Sequence, residues 1–340
     1  MGKIVCFGEV MGRLCPPGFK KVVQTNTFDV TFAGGEINVA VSLANYGNDA
    51  KFVTKLPDND VAKLACRVMR SYGVDLSDIV LGGERFGMYY VEKGASQRAS
   101  KVIYDRKYSS ISMAKREDFD WDKILDGAAW FHTTGITPAL SDECARMTMD
   151  ALKKCREKGI TVSFDLNFRR KLWSEEKARK VVSELMPYVD VCVGNEEDAE
   201  KVLGISSKGT DVTVGELNKE GYIDVAKEII DTYGCKKVAI TLRESYNASV
   251  NGWSAMLYVD GKGYFSKKYD IQLVDRVGGG DSFVGGLIHA LMNRDDPQDQ
   301  IEFAVAASCL KHTIEGDFNQ VSVKEVETLM SGDGSGRVQR

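Results

Sequence analysis

Asp275-Arg276-Val277-Gly278-Gly279-Gly280-Asp281-Ser282-Phe283 runs three consecutive glycines into an aspartate, and the aspartate opens an apolar-periodic segment. Phe283, Val284, Leu287, Ile288 and Leu291 recur at the spacing of one helical face. Glycines just ahead of a helix leave its first backbone N–H groups bare and outward-facing, which makes a ready anion site. A carboxylate in the same turn would repel a bound anion, unless its task is to take a proton from something attacking that anion. The juxtaposition points to phosphoryl transfer, with the amides of Gly278, Gly279, Gly280 and Asp281 neutralising the phosphate and Asp281 deprotonating the acceptor hydroxyl. Taken alone, the stretch reads equally well as a tight strand-to-helix turn whose aspartate favours the helix dipole.

Upstream, strand-like runs recur at Lys3–Phe7, Ala50–Lys55, Ala129–Thr133, Ile160–Asp165, Val189–Gly194 and Lys237–Leu242. Helical patterns lie between them at Ile37–Tyr46, Val61–Tyr72, Asp142–Lys158, Glu175–Met186 and Tyr222–Tyr233. This alternation predicts an α/β fold, a mostly parallel sheet covered by helices on both faces. Gly47, Gly73, Gly159 and Gly234 each follow a helical stretch, where a terminating glycine belongs. A last helix, Ser322–Met330, begins with a capping box (Ser322, Glu325) and a staple between Val321 and Val326. Residues 13–31 and 87–108 break the rhythm with strand character and no helices. They predict a small β-sheet lid over the site, with a long hairpin decoration as the alternative. A polar, Gly-rich tail over 331–340 is expected to be disordered, leaving one domain over 1–330.

The 340 residues suffice for one large α/β domain or two small ones. The net charge is −4 with no basic run, so there is no nucleic-acid or anionic-membrane footprint. No apolar segment approaches the roughly 20 residues of a membrane span. Eight scattered cysteines form no C-x-x-C pair, and three histidines offer no zinc spacing. A reducing cytoplasm is the simplest setting.

Ala33-Gly34-Gly35-Glu36-Ile37-Asn38-Val39-Ala40 repeats the construction near the N-terminus: paired glycines, then a helix. Gly34 and Gly35 permit close approach of a ligand to backbone, and Asn38 can donate and accept hydrogen bonds to hydroxyls. Together the two stretches resemble the signatures of the ribokinase-like (PfkB) carbohydrate kinases. Gly34, Gly35, Asn38 and Ala40 match the G-G-x-x-x-N-x-A sugar motif, and Asp275, Gly278, Gly280 and Asp281 match D-T-x-G-A-G-D. Arg276 stands where that family usually has Thr, and Gly279 where it usually has Ala. The family's N-x-x-E reads here Asn195-Glu196-Glu197-Asp198, so Asp198 or Glu197 would have the indirect metal role. No G-x-x-x-x-G-K-[ST] run is present, which excludes a Walker-type kinase. The resemblance implies a three-layer α/β/α sandwich with a β lid, and phosphorylation of a primary hydroxyl by ATP with Mg²⁺ bridging the nucleotide oxygens. It also implies a homodimer clasped through the lids.

For the acceptor, Gly8-Glu9-Val10-Met11-Gly12-Arg13-Leu14-Cys15-Pro16-Pro17 carries Arg13 near the place where family members that grip neutral sugars commonly have Asp, and an arginine favours an anionic acceptor. The pattern is similar to that of 2-keto-3-deoxygluconate kinases. That likeness implies that Gly34, Asn38, a lid tyrosine (Tyr89 or Tyr90), Tyr104, Arg106 and Arg169 surround the acid sugar. Arg106 and Arg169 read equally, one at a time, as surface ion-pair partners. Asp317 reads as touching acceptor hydroxyls or a cation, or as a plain turn aspartate. On the nucleotide side, Asn195, Thr241 and Arg243 join Gly278 and Gly280, and residues 246–253 either pack on adenine or lengthen a hairpin. Three classes of function stay open: a sugar-acid kinase, a neutral-sugar or nucleoside kinase such as a fructokinase, and a non-catalytic sugar-binding sensor.

Overall fold

Alternation along the strands sets the layers. Ile4 and Cys6 turn to one face and Val5 and Phe7 to the other, and all four are completely buried. A strand that is apolar on both faces must be covered on both, the condition of a parallel sheet within helices. In the computed structural model, which describes residues 2–206, 219–332 and 334, that is the arrangement. The large sheet runs in the order Lys262–Phe265, Val250–Val259, Lys237–Ser245, Val191–Gly194, Thr161–Asp165, Ala128–Thr134, Lys3–Phe7, Ala50–Val53. Its six strands from Lys237–Ser245 to Ala50–Val53 are mutually parallel, and Val250–Val259 turns back antiparallel.

Helices Gly35–Asn45, Asp60–Ser71, Gly279–Asn293 and Pro297–Lys311 contribute to the core on the Ile4 and Cys6 face. Helices Asp142–Lys158, Glu175–Leu185 and Lys219–Tyr233 contribute to the core on the other. Phe7 anchors that second layer, with its ring edge-on to Phe119 at 5.2 Å and to Trp121 at 5.0 Å. The capping box forms as read: Ser322 Oγ accepts from the Glu325 N–H, while Glu325 Oε2 accepts from the Ser322 N–H at 2.8 Å. Val321 and Val326 share one apolar cluster.

The lid is a separate four-stranded sheet of Asp29–Ala33, Met11–Cys15, Met88–Glu92 and Lys101–Asp105 in that spatial order. Its first segment is wider than the sequence indicates, reaching from Met11 to Ala33. Register aligns Thr31, Arg13, Tyr89 and Tyr104 as one row across the four strands. Residues 246–253 lengthen a hairpin: Lys237–Ser245 runs out to Ser245 and the chain returns from Val250. The lid meets this hairpin, where Ala248 N–H donates to the Ser96 carbonyl at 2.7 Å and Ser96 N–H to Ser249 Oγ at 2.9 Å. No helix among the described residues is long and apolar enough to cross a membrane, and all eight cysteines are unpaired. Of the tail, only Ser331, Gly332 and Gly334 are among the described residues, so the expectation of disorder lies outside them.

Candidate active site

A cavity of about 460 Å³ opens at the carboxyl ends of the parallel strands, where open α/β sheets bind ligands. Its wall includes Asp165, Arg169, Asn195, Thr241, Arg243, and the whole run from Arg276 to Asp281. Gly278 caps the helix Gly279–Asn293 with φ 81°, and a Cβ there would lie 2.1 Å from the Asp317 carbonyl oxygen, so only glycine fits. The N–H groups of Gly278, Gly280 and Asp281 find no acceptor among the described residues. They stand at a helix N-terminus facing a cavity, which is the geometry of an anion hole.

Asp281 lies in the first turn of that helix, and Asn38 Nδ2 donates to its Oδ2 at 2.6 Å. Burial pushes the Asp281 carboxyl up to about 7; the Asn38 hydrogen bond and the Arg169 charge work against the rise, and Asp317 and Glu36 add to it. Gly34 lets the start of helix Gly35–Asn45 pack directly on the chain that leaves strand Lys3–Phe7, and Gly35 stands in ordinary contact range of Asp281. A Cβ on Gly34 would strike the Glu9 carbonyl oxygen at 1.9 Å, and one on Gly35 would come within 3.8 Å of Asp281 Oδ1. The two glycine motifs are thus one site, joined through Asn38 and Asp281.

Arg13 is placed differently from the sequence expectation. Its guanidinium is 2% exposed and is taken up by protein carboxylates, pairing with Asp275 Oδ2 at 2.6 Å and with Asp317 Oδ1. Burial works against its charge, but Asp317 and Asp275 outweigh it and hold the group firmly protonated. It therefore ties the lid to the glycine loop and has no charge left over for an acceptor. Asp317 is committed in the same way: besides Arg13, it accepts from the Tyr89 hydroxyl at 2.6 Å. Asp275 also accepts from the N–H groups of Val277 and Gly316, at 3.1 and 3.2 Å.

Of the two lid tyrosines, Tyr89 faces the loop, whereas Tyr90 points to the opposite face, against Phe28 at 5.7 Å; alternation along the strand excludes Tyr90 from the site. Tyr104 stacks on Tyr89 at 6.1 Å, and the Arg106 guanidinium lies 5.5 Å from the Tyr104 ring centre. Arg106 pairs with Glu9, a buried carboxylate that also accepts from Ser109 Oγ at 2.5 Å. Ion pairing is one of the two readings the sequence allows for Arg106; the structure names Glu9, directly after an apolar strand, as the partner and buries the pair instead of leaving it at the surface.

Arg169, Arg243 and Arg276 line the cavity, and none makes an ion pair with a described residue. Burial, with Arg276 nearby, lowers Arg243 to about 10, and its guanidinium sits 4.8 Å from the centre of the Trp253 ring. Among the described residues the Arg276 side chain finds only Ser245 Oγ, at 3.5 Å. Arg169 lies near three acids, Asp165, Asp198 and Asp281, and its charge favours their ionised forms. Asp165, which the motif reading passes over, is held well above the usual carboxylate range by burial and by the charges of Asp198 and Asp281. Burial likewise raises Asp198, which accepts from the Phe168 N–H at 3.0 Å. Asn195 acts as a helix N-cap, accepting from the Asp198 N–H at 2.8 Å. Both candidates for a metal role line the cavity, but Glu197 is largely exposed at its rim and pairs with Lys201, whereas Asp198 is the more buried of the two. Among the described residues no three side chains form a metal cage. An ion carried in with the phosphates, keeping its own waters, needs no more than one or two carboxylates.

The layers, the lid and the strand-end cavity define a small-molecule kinase of the ribokinase-like fold. The chain belongs to the pfkB family of carbohydrate kinases, whose sequence pattern matches residues 1–321. It is 54% identical to the crystal structure of 2-dehydro-3-deoxygluconokinase from Thermotoga maritima, with a TM-score of 0.93 over 97% of this chain and 98% of that one. It is 32% identical to 2-dehydro-3-deoxygalactonokinase from Haloferax volcanii, covering 98% of both chains. It is 26% identical to 2-dehydro-3-deoxygluconokinase from Thermoproteus tenax, over 97% of this chain and 94% of the relative.

Removing Arg13 alone would strand two buried carboxylates. Arg13→Met is expected to destabilise the protein by about 3–5 kcal/mol, the usual cost of breaking a buried pair from one side. Denaturant unfolding of wild type and variant measures it, and a change under about 1 kcal/mol would show that the pairing is not structural.

Proposed function

We propose that this protein transfers the γ-phosphoryl group of ATP to the terminal primary hydroxyl of 2-keto-3-deoxygluconate, giving the 6-phosphate. The observation that carries the reading is Asp281: a half-buried carboxylate with a pKa near 7, set beside three amides at a helix N-terminus that have no acceptor among the described residues. An alcohol is too weak an acid to ionise beforehand. Its oxygen attacks phosphorus as its proton passes to Asp281, and the bond from phosphorus to the ADP oxygen breaks. The Gly278, Gly280 and Asp281 N–H groups hold the negative charge that gathers on the transferred phosphoryl oxygens. Arg243 and Arg276, without carboxylate partners, face the polyphosphate. The raised carboxyls of Asp165 and Asp198 are suited to a divalent cation, because such an ion relieves their mutual repulsion. Magnesium would supply charge neutralisation between nucleotide oxygens.

The acid acceptor rests on Arg169, which lies near Asp281 without an ion-pair partner among the described residues, with the names of the relatives in support; Arg106 of the lid, beside Tyr104, has its charge met by Glu9 and offers only its Nε, which is without a partner among the described residues. Arg13 adds nothing to it. A second reading, the galactonate-derived epimer, is favoured by the Haloferax relative. The acids differ at one hydroxyl, and both would place a carboxylate between the arginines and a primary alcohol near Asp281.

Asp281→Asn should lower kcat by about 10²–10⁴-fold while leaving sugar binding largely intact, as expected for loss of a general base. In wild type the base must be ionised, so kcat/KM should be level above the folded-state pKa and fall about tenfold per pH unit below about 7. Near-wild-type turnover in Asp281→Asn would remove the base assignment. ADP release with Mg-ATP over a panel of sugars and sugar acids should show the two keto-deoxy acids far ahead of fructose and ribose. The double variant Arg106→Ala, Arg169→Ala should raise KM for the acid much more than KM for ATP; equal effects on both would count against the arginines as acceptor ligands.

The lid's outer face carries Val30 and Ile103, both exposed, beside Tyr90. We infer that a second copy of this chain covers that face, giving a homodimer. Light scattering should report a dimer for wild type and a monomer for Ile103→Glu; a monomeric wild type would rule the dimer out.

A further inference from the structure

Lys311 is the last residue of helix Pro297–Lys311 and is completely buried. Its ammonium has no carboxylate within ion-pair distance among the described residues. It donates instead to two backbone carbonyls of the glycine loop, that of Asp275 at 3.2 Å and that of Val277. Burial lowers the Lys311 pKa, and Arg13 adds to the fall; Asp275, Asp317 and Asp281, at longer range, work against it and favour the charge. A buried cation on backbone carbonyls is an expensive arrangement, since desolvating an ammonium costs several kcal/mol. Nothing in the packing of an α/β core requires it, because a methionine would fill the same volume.

The geometry of the peptide unit shows what the arrangement does. In a planar trans peptide the C=O and the following N–H point in opposite directions. Drawing the Val277 carbonyl inward, on to Lys311, turns the Gly278 N–H outward. Gly278 lines the cavity, and its N–H has no partner among the described residues. Gly278 also lies in the left-handed region, φ 81°, so the loop adopts a conformation open to few residues and needs a hold on its buried side. We propose that Lys311 is the positioning residue of the anion hole: a covalently attached monocation that clamps the Asp275 and Val277 carbonyls, aims the Gly278 amide at the transferring phosphoryl group and places a positive charge beneath it. The inference rests on the phosphoryl-transfer reading above. Because the cation is built in, the protein needs no dissolved monovalent cation to organise this loop. Removing the ammonium leaves a carbonyl-lined void that a small free cation can enter.

The experiment has two arms, both reading ADP release with the keto-deoxy acids. Wild type is assayed in potassium chloride and in tetramethylammonium chloride of equal ionic strength, whose bulky ion cannot enter such a void. The two rates should agree within about twofold, since any clamp of the loop already stands in place. Lys311→Met should lose about 10²–10³-fold in kcat, the usual effect of removing an oxyanion donor, with little change in the acceptor KM. Ammonium or potassium should restore at least about tenfold of that loss, and tetramethylammonium none. A purely packing role would give a deficit that no ion reverses. The inference is overturned if wild type accelerates severalfold in potassium, if folded Lys311→Met turns over near the wild-type rate, or if its deficit is indifferent to small cations. Circular dichroism shows whether Lys311→Met folds; if it does not, the wild-type arm alone decides. Absence of wild-type turnover on any acceptor would instead overturn the kinase reading and this inference with it, an outcome distinct from the others.

Discussion

The ion triad of Arg13 with Asp275 and Asp317 is the constraint on which the site depends. One guanidinium from the lid reaches the residue that opens the glycine loop and Asp317, in the loop beyond helix Pro297–Lys311. Tyr89, the neighbour of Arg13 in the lid row, adds a hydrogen bond to the same Asp317. The carbonyl of Asp317 in turn sits where a side chain on Gly278 would be. Lid, loop and helix therefore meet in one buried polar knot. Such a group is weak evidence for extra stability, because its Coulombic gain barely offsets the desolvation of three charges. Its value is in register: only one arrangement satisfies all three groups, and that arrangement brings Asn38 to Asp281.

Around this knot stand charges left without ion pairs. Arg169, Arg243 and Arg276 have no ion-pair partner among the described residues, while burial raises the pKa of Asp165, Asp198 and Asp281, and the charges of Asp198 and Asp281 raise Asp165 further. Folding alone would favour neutralising these groups against one another. Leaving both sets unsatisfied in one cavity prepares it for a ligand that is itself anionic and accompanied by a cation. The electrostatic work of organising the site is done during folding, before any substrate arrives.

The layers were largely legible in the sequence because they follow from local periodicity. Helix Asp142–Lys158 and strand Lys3–Phe7 have the bounds that their apolar spacing indicates, since capping and burial pattern agree there. The antiparallel strands after Ser245 were legible only in part. A longer hairpin over 246–253 was one of two readings, and the run from Trp253 to Val259 is buried against strand and helix partners that no local pattern names. The roles of the arginines failed for a similar reason. Arg13 finds partners 262 and 304 residues away, and a lone arginine after an apolar strand looks the same whether it meets a ligand or a protein carboxylate. Lys311 could have been suspected as a single lysine closing the apolar helix segment Ala304–Leu310, although only the fold reveals the carbonyls it meets.

The cysteines carry a consequence of a different kind. Seven of the eight are buried, and burial pushes Cys144, Cys155, Cys235 and the half-buried Cys309 up to about 12. Only the thiolate reacts quickly with oxidants and alkylating agents. A chain rich in thiols is thus chemically quiet while folded, and becomes reactive at many points once its layers part. The same atoms that fill the core as small apolar groups are a silent alarm for its opening, and a damaged or unfolding molecule is marked for covalent modification far sooner than an intact one.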